Sequence, residues 1–564
     1  QPWLDQSKEL RNYLFQTSTK DTTNAQLPWK NSTSVPKLAQ LRDNLHANYY
    51  AALFPNDSWF KWEAAEKKGA NREQARLIES YMQQKIRESG FKQAVSRALY
   101  DYIDYGNAFG EVSYESDVHT NSDARSTVVY NGPRLNRISP YDIYFDLTAD
   151  DFKNAGKITR RLVSMGSLVQ AHESNPQGYP WVPAAIADAI ATRQTLNAYG
   201  DSDIDKSEGF QVDGFGNLSS YYSDDMIEIL EYEGDLFDMD KGEVMTGHQV
   251  IVVDRRRVVH NAPFESWLGR SNKEHVNWRP RPDNLLGMGP LDNLVGMQYR
   301  LDHLENLKAD VFDQIAHPMY LVQGMVEDFE HGPNERIYAD LDATVQALRP
   351  DSTALNADFQ MDLLMQNMEE LAGAPRQAMG IRTPGEKTAF EVQALENAAG
   401  RIFQQKIQKF EEEFVEPLLN QMLEVARRNI EATEIVKVFN DDFAVQEFLK
   451  ITPEVLNSRG ALYPVGARHF AQQAQVVQNL LGFINSGAYT DPGVQAHISG
   501  IKIAELFEET LGFGKYELVS PNIRIAEGQE SQSMTAQAQE SVVGEIAARQ
   551  EGDDAQAAAE AVEQ

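Results

Sequence analysis

The chain has 564 residues, of which 52 are basic and 84 acidic, so its formal net charge is −32. A field of this sign repels nucleic acid and anionic membranes, so any contact with DNA must be local or transient. Because there is no cysteine, disulfides, thiolate metal sites and cysteine nucleophiles are excluded. The first residues lack the pattern of a signal peptide, and no run approaches 18 apolar residues, so we expect a soluble, non-secreted protein without a membrane span.

The first half of the chain is predicted to change from helices to strands. Helices are expected over residues 34–50, 73–87 and 91–105, the last two separated by Gly90. Beyond Gly110 the apolar period approaches two, which predicts strands over 111–115, 126–130 and 136–145, with a turn at Asn131-Gly132-Pro133. Residues 175–225, rich in Gly, Ser and Asp, are interpreted as a surface excursion.

An antiparallel meander is predicted next, over residues 226–232, 248–253 and 257–260. Three consecutive arginines, Arg255 to Arg257, lie at its turn. These arginines could bind a phosphate group. In so acidic a chain, however, we favour an intersubunit salt bridge.

Two long helical segments organise the second half. The first is predicted from Gly289-Pro290 to Ala316, because proline suits the first helical position and Pro318 would end the helix. Its apolar residues recur at steps of three or four and form one stripe: Leu294, Met297, Leu301, Leu304, Leu307, Val311 and Ile315. A mixed segment follows, with an extended piece at 319–322 and a short amphipathic piece at 337–348.

A second helix over 357–371 is expected to carry one apolar side, formed by Phe359, Leu363, Leu364, Met368 and Leu371. Residues 374–387 have no period. A very long helix then starts at Thr388, whose spacing from Glu391 is that of a capping box, and Pro417 is expected to kink it.

The carboxyl-terminal part is predicted to be mostly helical. An extended piece at 435–440 precedes shorter helices at 467–485 and 493–511. Residues 531–564 carry seven acidic residues and one basic residue among Gln and Ala. Such a tail is disordered, or is a polar helix that orders only against copies of itself.

The sequence contains one near-match to a known nucleotide-binding motif. Residues 380–388 look like a Walker A loop with an extra residue, Glu386, which would face phosphate and shifts Lys387 out of register. A helix rather than a strand precedes this segment, so its context is wrong for a nucleotide site. No histidine cluster, G-x-S-x-G or GxGxxG motif is present. We therefore predict no catalytic residue, no metal and no cofactor.

The order of the segments resembles that of the portal proteins of tailed bacteriophages, the head-to-tail connectors. The resemblance covers roughly residues 30–515. It is carried by the run Trp278 to Gln298 entering the long helix, by Ser139-Pro-Tyr-Asp-Ile-Tyr-Phe-Asp146, by Tyr463-Pro-Val-Gly-Ala-Arg-His469, and by the sequence of helix, insert, helix, irregular loop and long kinked helix.

This resemblance implies an elongated α+β subunit that forms a ring, usually a dodecamer, at one capsid vertex of the virion. The implied parts are a strand-rich wing (1–286), a first stem helix (287–317), a clip (318–353), a second stem helix (354–373), a tunnel loop (374–387), a long wing helix (388–429), a connector (430–465), a helical crown (466–530) and the acidic tail (531–564). Double-stranded DNA would pass through the ring during packaging and ejection. The implied partners are the terminase motor, tail adaptor proteins and capsid proteins, met in the host cytoplasm during assembly.

Candidate DNA-facing residues follow from charge. Arg376, Arg382 and Lys387 against Glu386 give the tunnel loop a local charge of +2, so it could centre a duplex without reading its sequence. The stem-helix candidates are Arg300 and Lys308. Intersubunit salt bridges are an equal alternative for the loop residues.

Two other functions stay open. One is a nucleotide-binding enzyme that uses the loop at 380–388. The other is a capsid ring or scaffold component without DNA contact.

Overall fold

The fold was taken from a computed structural model. It describes residues 2–15, 33–55, 59–64, 72–120, 126–164, 226–239, 242–316, 318–327, 341–348, 357–373, 402–430, 434–440 and 445–465, with the single residues 166, 188 and 338. The chain divides into two compact units, residues 1–437 with 448–470, and residues 438–447 with 471–564. The surface excursion apart from Asp188, the tunnel loop, the first turns of the long wing helix, the crown helices and the acidic tail lie outside the described residues.

The described helices agree closely with the periodicity of the sequence. The first four, all in the amino-terminal part, confirm the three predicted there and add one at the start of the chain. Residues 402–410 are also helical, and a π-helical turn, Glu411–Val415, joins them to the seventh helix. The helices are α1 Pro2–Phe15, α2 Lys37–Leu53, α3 Arg72–Ser89, α4 Phe91–Asp104, α5 Val295–Ala316, α6 Asp358–Leu371, α7 Glu416–Asn429 and the single turn α8 Pro453–Leu456.

Sixteen strands are described, which makes the protein a mixed α+β structure. They are β1 Phe60–Ala64, β2 Asn107–Thr120, β3 Ser126–Ile138, β4 Ile143–Phe145, β5 Lys157–Ser164, β6 Met226–Asp238, β7 Glu243–Val253, β8 Arg257–Pro263, β9 Lys273–Asn277, β10 Arg279–Arg281, β11 Asn284–Met288, β12 Met319–Gln323, β13 Thr344–Leu348, β14 Glu434–Asn440, β15 Val445–Ile451 and β16 Gly460–Pro464. The main sheets have the strand orders β3-β2-β9 and β4-β5-β6-β7-β8. Neighbouring strands in both are antiparallel, which confirms the predicted meander.

The predicted turn at Asn131-Gly132-Pro133 is wrong. These residues continue β3, where Pro133 lies opposite Tyr114 and Gly132 opposite Glu115. Proline has no N–H to donate, yet it is tolerated in a strand that has a neighbour on one side only. Strand β3 is such a strand, because it stands at the edge of its sheet.

The hydrophobic interior lies between the three-stranded sheet and the helices. Phe109 on β2 belongs to a buried cluster with Ile138, Ile143, Phe152 and Leu286. On the helical side an aromatic column runs from Tyr49 through Tyr102 and Phe410 to Phe414, with ring centroids 6.3, 5.0 and 5.1 Å apart. Helix α7 buries its apolar side, including Leu418, Leu419, Met422 and Leu423. This packing fixes the long helix against the sheet.

The two ends of the first unit are joined by the pairing of β1 with β16. Phe60 lies opposite Pro464 and Ala64 opposite Gly460. Gly460 has no room for a Cβ, because the Trp62 ring and the Glu63 carbonyl touch the place where it would stand. From α7, Asn420 accepts a hydrogen bond from the Leu462 N–H at 2.8 Å and donates to the Leu462 carbonyl at 2.9 Å.

Helix α5 begins later than the sequence predicts. Gly289 and Pro290 lie between β11 and the helix, residues Asp292–Leu294 form a 3-10 turn, and the α-helix starts at Val295. The reason is a close approach of two backbones: a Cβ at Gly289 would be 2.7 Å from the Ile103 carbonyl oxygen. The Gly289 N–H donates to Asp292 Oδ2 at 2.8 Å. The glycine is therefore required by packing, and the Gly-Pro pair does not mark the helix start.

The interruption expected at Pro417 falls just before it. The π-helical turn Glu411–Val415 replaces regular α-helical hydrogen bonding, and Pro417 stands in the first turn of α7. A proline lacks the N–H for the usual bond and its ring crowds the preceding turn, so the altered hydrogen bonding accommodates it.

Candidate functional site

Helices α5 and α6 pack side by side, and the hairpin of β12 and β13 lies between them in the chain. Leu301 and Leu304 of α5 form a buried cluster with Met361 of α6, with Leu364 and Met365 packed against it. Met319 of β12 pairs with Leu348 of β13 at one end of the hairpin, and Gln323 pairs with Thr344 at the other. The predicted extended piece at 319–322 is confirmed, and residues 344–348 of the amphipathic piece form the second strand.

An extended strap, residues 33–36, crosses α5 and is held by three of its side chains at i, i+4 and i+8. Asp302 accepts from the Val35 N–H at 2.8 Å and the Ser34 hydroxyl at 3.1 Å. Gln298 Nε2 donates to the Val35 carbonyl at 2.6 Å. Asn306 accepts from the Thr33 N–H at 2.7 Å and donates to its carbonyl at 3.2 Å. Residues on one helix face thus capture a passing backbone.

The strap continues into α2, which is bound to α6 by a buried ion pair. Lys37 Nζ lies 2.6 Å from Glu369 Oε1. Lys37 also donates to Gln40 at 3.0 Å. The base of the α5–α6 pair is therefore anchored to the amino-terminal helices by charge and by hydrogen bonds as well as by apolar contact.

Beyond this base the helix pair and the hairpin expose apolar side chains. From Leu307 to Ala316 no side chain of α5 is buried. Of the 26 large apolar side chains exposed among the described residues, twelve fall between Leu307 and Leu371. We call these twelve the helix–hairpin surface; they are Leu307, Phe312, Met319, Leu321, Val322, Met325, Tyr338, Leu341, Leu348, Phe359, Leu363 and Leu371.

Helix α6 has two apolar sides, where the sequence predicts one. Met361 and Met368 are buried, while Phe359, Leu363 and Leu371 are exposed, Phe359 by 77% of its area. Grouping Phe359, Leu363 and Leu371 with Leu364 and Met368 was wrong, because Met368 is buried and Leu364 packs against the cluster with α5, whereas the other three are exposed. A second apolar side that is left uncovered indicates a further packing partner.

The hairpin also lacks a partner within the described residues. Strands β12 and β13 form a sheet of two strands, in which most residues are exposed. An isolated two-stranded hairpin is marginally stable in water. Its exposed apolar side chains, together with those of α6, are typical of a surface that becomes buried on association.

The two stem candidates differ in their surroundings. Lys308 Nζ lies 2.7 Å from Asp358 Oδ1 on α6 and 4.0 Å from Glu305. The hydrogen bond that Lys308 donates to the Asp358 carboxylate raises the pKa of Lys308. Arg300 is exposed, and its charge contributes, after burial, to a lowered pKa of His303. Lys308 therefore serves the helix pair, whereas Arg300 presents its charge to solvent.

The tunnel-loop candidates Arg376, Arg382 and Lys387 lie outside the described residues, as does the Walker-like segment. The described residues on either side of that stretch are close together, since a Cβ at Gly373 would be 3.6 Å from Cγ2 of Ile402. The end of α6 therefore lies next to the start of the helix at 402–410.

Two of the three arginines at the meander turn form ion pairs within the subunit. Arg255 makes a two-pronged ion pair with Glu228, at 2.7 and 3.0 Å, and Arg257 lies 2.5 Å from Asp188. Asp254 and Arg255 form the tight turn with positive φ values of 49° and 56°. The interpretation as an intersubunit salt bridge is thus replaced by intramolecular pairs for two of the three arginines.

Sequence reasoning missed a buried ionic cluster between the two main sheets. Lys273 Nζ on β9 lies 2.6 Å from Glu233, 3.2 Å from Glu231 and 3.8 Å from Glu111. Although burial opposes its charged form, these carboxylates raise the pKa of Lys273 above its ordinary value. Against burial, Lys273 and then Arg161 lower the pKa of Glu231 to about 2. These ion pairs connect β9 and β2 of one main sheet with β6 of the other.

Two absences concern the described residues only. No group of three His, Asp or Glu side chains there is arranged to hold a metal ion. No helix in the same part of the chain has the length and apolarity needed to cross a bilayer.

Comparison with known proteins gives no relative. Neither a protein-family model nor a curated protein matches the chain.

Proposed function

We propose that the protein is the subunit of a viral portal, a ring at one capsid vertex through which double-stranded DNA is packaged and later ejected. The observation that carries the proposal is the helix–hairpin surface. A helix pair with one apolar side covered and another uncovered suits side-by-side packing of identical subunits around an axis.

The order of elements supports the same assignment. A strand-rich part precedes α5, the β12–β13 hairpin separates the two helices, and the helix at 402–429 returns to the sheets. On this proposal α5 and α6 are the stem, the hairpin belongs to the clip, and the sheets with α7 form the wing. The clip meets the terminase during packaging and the tail adaptor afterwards, while capsid proteins surround the ring.

The charge of the chain suits a channel that DNA must traverse in both directions. A net charge of −32 repels phosphate and avoids a deep binding minimum along the wall. A few cations at the narrowest ring are enough to centre the duplex through its phosphates, without reading its sequence. No catalysis by the subunit is needed, because the motor is a separate ATPase.

Native mass spectrometry together with negative-stain class averages tests the proposal. We expect a closed ring near twelve copies with a central hole, indifferent to nucleotide. A monomer that binds ATP, and loses that binding in Lys387→Ala, would contradict the proposal and favour a nucleotide-binding enzyme. A ring that packages DNA equally well without Arg376 and Arg382 would favour a capsid component without DNA contact at the tunnel loop.

A further inference from the structure

Four cations from two distant segments, which we call the cation row, lie in or against the run from Asn277 to Arg281: Arg279, Arg281, Lys406 and Lys409. Lys406 Nζ donates to the Trp278 carbonyl at 2.6 Å and lies 4.6 Å from the centre of its ring. The Arg279 guanidinium carbon is 5.2 Å from the same ring. Lys409 donates to the side chain of the preceding residue, Asn277. The row therefore follows the chain from residue 277 to residue 281.

Three of the four cations in this row have no carboxylate at ion-pair distance among the described residues, although Arg279 and Arg281 act on Asp292 from further away. Arg42, Arg137 and Arg160 each form an ion pair with a nearby acid. Among the described residues, no carboxylate oxygen lies within 4.0 Å of a side-chain nitrogen of Arg279, Arg281 or Lys406, and Lys409 has only Glu413, at 3.6 Å and half exposed. In a chain with 84 acids and 52 bases, such a row is a local reversal of the field.

Burial and mutual repulsion both act on the row. Burial, followed by the charges of Lys409 and Arg279, lowers the pKa of Lys406. An anion placed over the row would relieve this repulsion. Lys406 and Lys409 are already oriented by hydrogen bonds, so little side-chain freedom would be lost on binding.

The row lies near the turn that opens α5. Lys406 is one helical turn beyond Ile402, which is adjacent to Gly373 at the end of α6. Arg279 and Arg281 both act on the carboxyl group of Asp292, in the turn that opens α5. The cation row is thus close to the start of the first stem helix and, through Ile402, to the end of the second.

We infer that the cation row is a second DNA contact, which binds backbone phosphates beside the start of the first stem helix. This inference rests on the proposed function, because it assigns a further contact to the same duplex. The contact is to phosphate and not to bases: Trp278 is 2% exposed, so its ring is unavailable for stacking, and cations alone carry no sequence information.

The test is fluorescence anisotropy of a labelled DNA duplex over a salt series, with the full-length protein and the variant R279Q/R281Q. Each lost phosphate contact reduces the slope of log K against log salt by about 0.9. We expect the slope to fall by about 1.8 and the affinity at low salt to fall about tenfold or more. The variant R279K/R281K keeps both charges and should retain most of the slope.

The control is R87Q/K92Q, which removes the same charge from another surface where Lys92 lies 5.5 Å from the Phe54 ring. Equal slopes for R279Q/R281Q and this control would overturn the inference. So would loss of binding to a poly-glutamate peptide without any change in DNA binding, which would identify an acidic protein as the partner. Ring mass is measured on the same samples, so that failure of the DNA contact is distinguished from failure of ring formation.

Discussion

Lys37 on α2 and Glu369 on α6 form a buried ion pair at 2.6 Å, although 332 positions separate them in the chain. The pair is the direct charge link between the amino-terminal helices and the proposed stem. Replacing one partner leaves the other charge buried without compensation, which typically costs about 3 to 5 kcal/mol.

We therefore expect Glu369→Gln to lower the free energy of unfolding by about 3 kcal/mol in urea titrations. The double variant K37M/E369L removes both charges and should recover most of the loss. If Glu369→Gln unfolds at the same urea concentration as the original protein, the pair does not stabilise the base of the stem.

The ionic cluster around Lys273 gives a prediction with a pH signature. Lys273→Met leaves Glu111, Glu231 and Glu233 facing one another, so we expect a loss of about 3 to 5 kcal/mol near neutral pH. Without the lysine, burial and mutual repulsion raise the folded-state pKa values of Glu231 and Glu233 above the ordinary 4.5. Protonation then favours the folded state, so part of the loss is recovered as the pH falls towards 5.

The matched control for the cluster is Arg134→Gln, which removes a partly exposed cation from Glu115 and Asp117. This change should cost about 1 kcal/mol or less. Thermal unfolding of both variants at pH 5 and pH 7 checks the prediction. A Lys273→Met protein with a stability independent of pH would contradict it.

The lowered pKa of His275 predicts a loss of folding stability in weak acid. Burial, followed by the charges of Lys409 and Lys157, lowers its pKa to about 3 from an ordinary 6.5. Its ring stacks on Phe109 with centroids 4.7 Å apart. Between pH 6.5 and about 3 the unfolded chain binds a proton that the folded protein does not. Folding stability therefore decreases as the pH falls through this window, by at most about 1.4 kcal/mol per pH unit from this group.

The variant His275→Phe keeps the stacking and removes the titration. Asn107 Oδ1, which lies 3.1 Å from His275 Nε2, still accepts from the Gly287 N–H at 2.9 Å. Urea titrations at pH 4.5 and 6.5 should show a smaller pH dependence in the variant than in the original protein. Identical pH dependence would contradict the prediction, because His275 would then bind its proton equally in the folded and unfolded states.

The helix–hairpin surface predicts a change in assembly without a change in folding. Phe359 is 77% exposed, so Phe359→Glu should alter the free energy of unfolding of the subunit by about 0.5 kcal/mol or less. Between packed subunits the same charge would be desolvated without a partner, and we expect loss of the ring in native mass spectrometry. Phe359→Leu keeps an apolar group and should assemble; if Phe359→Glu assembles equally well, this side of α6 is not an interface.

The helices could be predicted from the sequence because each has a long apolar period. α2, α3, α4 and α6 lie within about three residues of their predicted bounds. The start of α5 could not be predicted, because Gly289 is required by the Ile103 backbone, which is nearly 190 positions away in sequence. The edge position of β3, which permits Pro133 within a strand, is likewise a property of the sheet and not of the local sequence.

The site was less predictable than the fold. Glu231 alternates with apolar neighbours in its strand and Lys273 lies between Asn272 and Glu274. Both patterns are typical of a solvated strand face, and only the second sheet makes that face internal. Gln298, Asp302 and Asn306 share one side of α5 at a spacing of four, which is a detectable signal. They bind mainly the backbone of residues 33–35, however, and a contact with the backbone cannot be recognised from the residue types of that segment.

The pairing of β1 with β16 sets a time scale for biosynthesis. The strand partners of Phe60 and Trp62 are synthesised about 400 residues later. At about 5 to 20 residues per second, translation of that stretch takes roughly 20 to 80 s. During that interval the growing chain presents two large aromatic side chains that end up buried. The pairing of β1 with β16 therefore forms only after nearly all of the described length has been translated. Until then the growing chain exposes apolar side chains of the kind that chaperones bind.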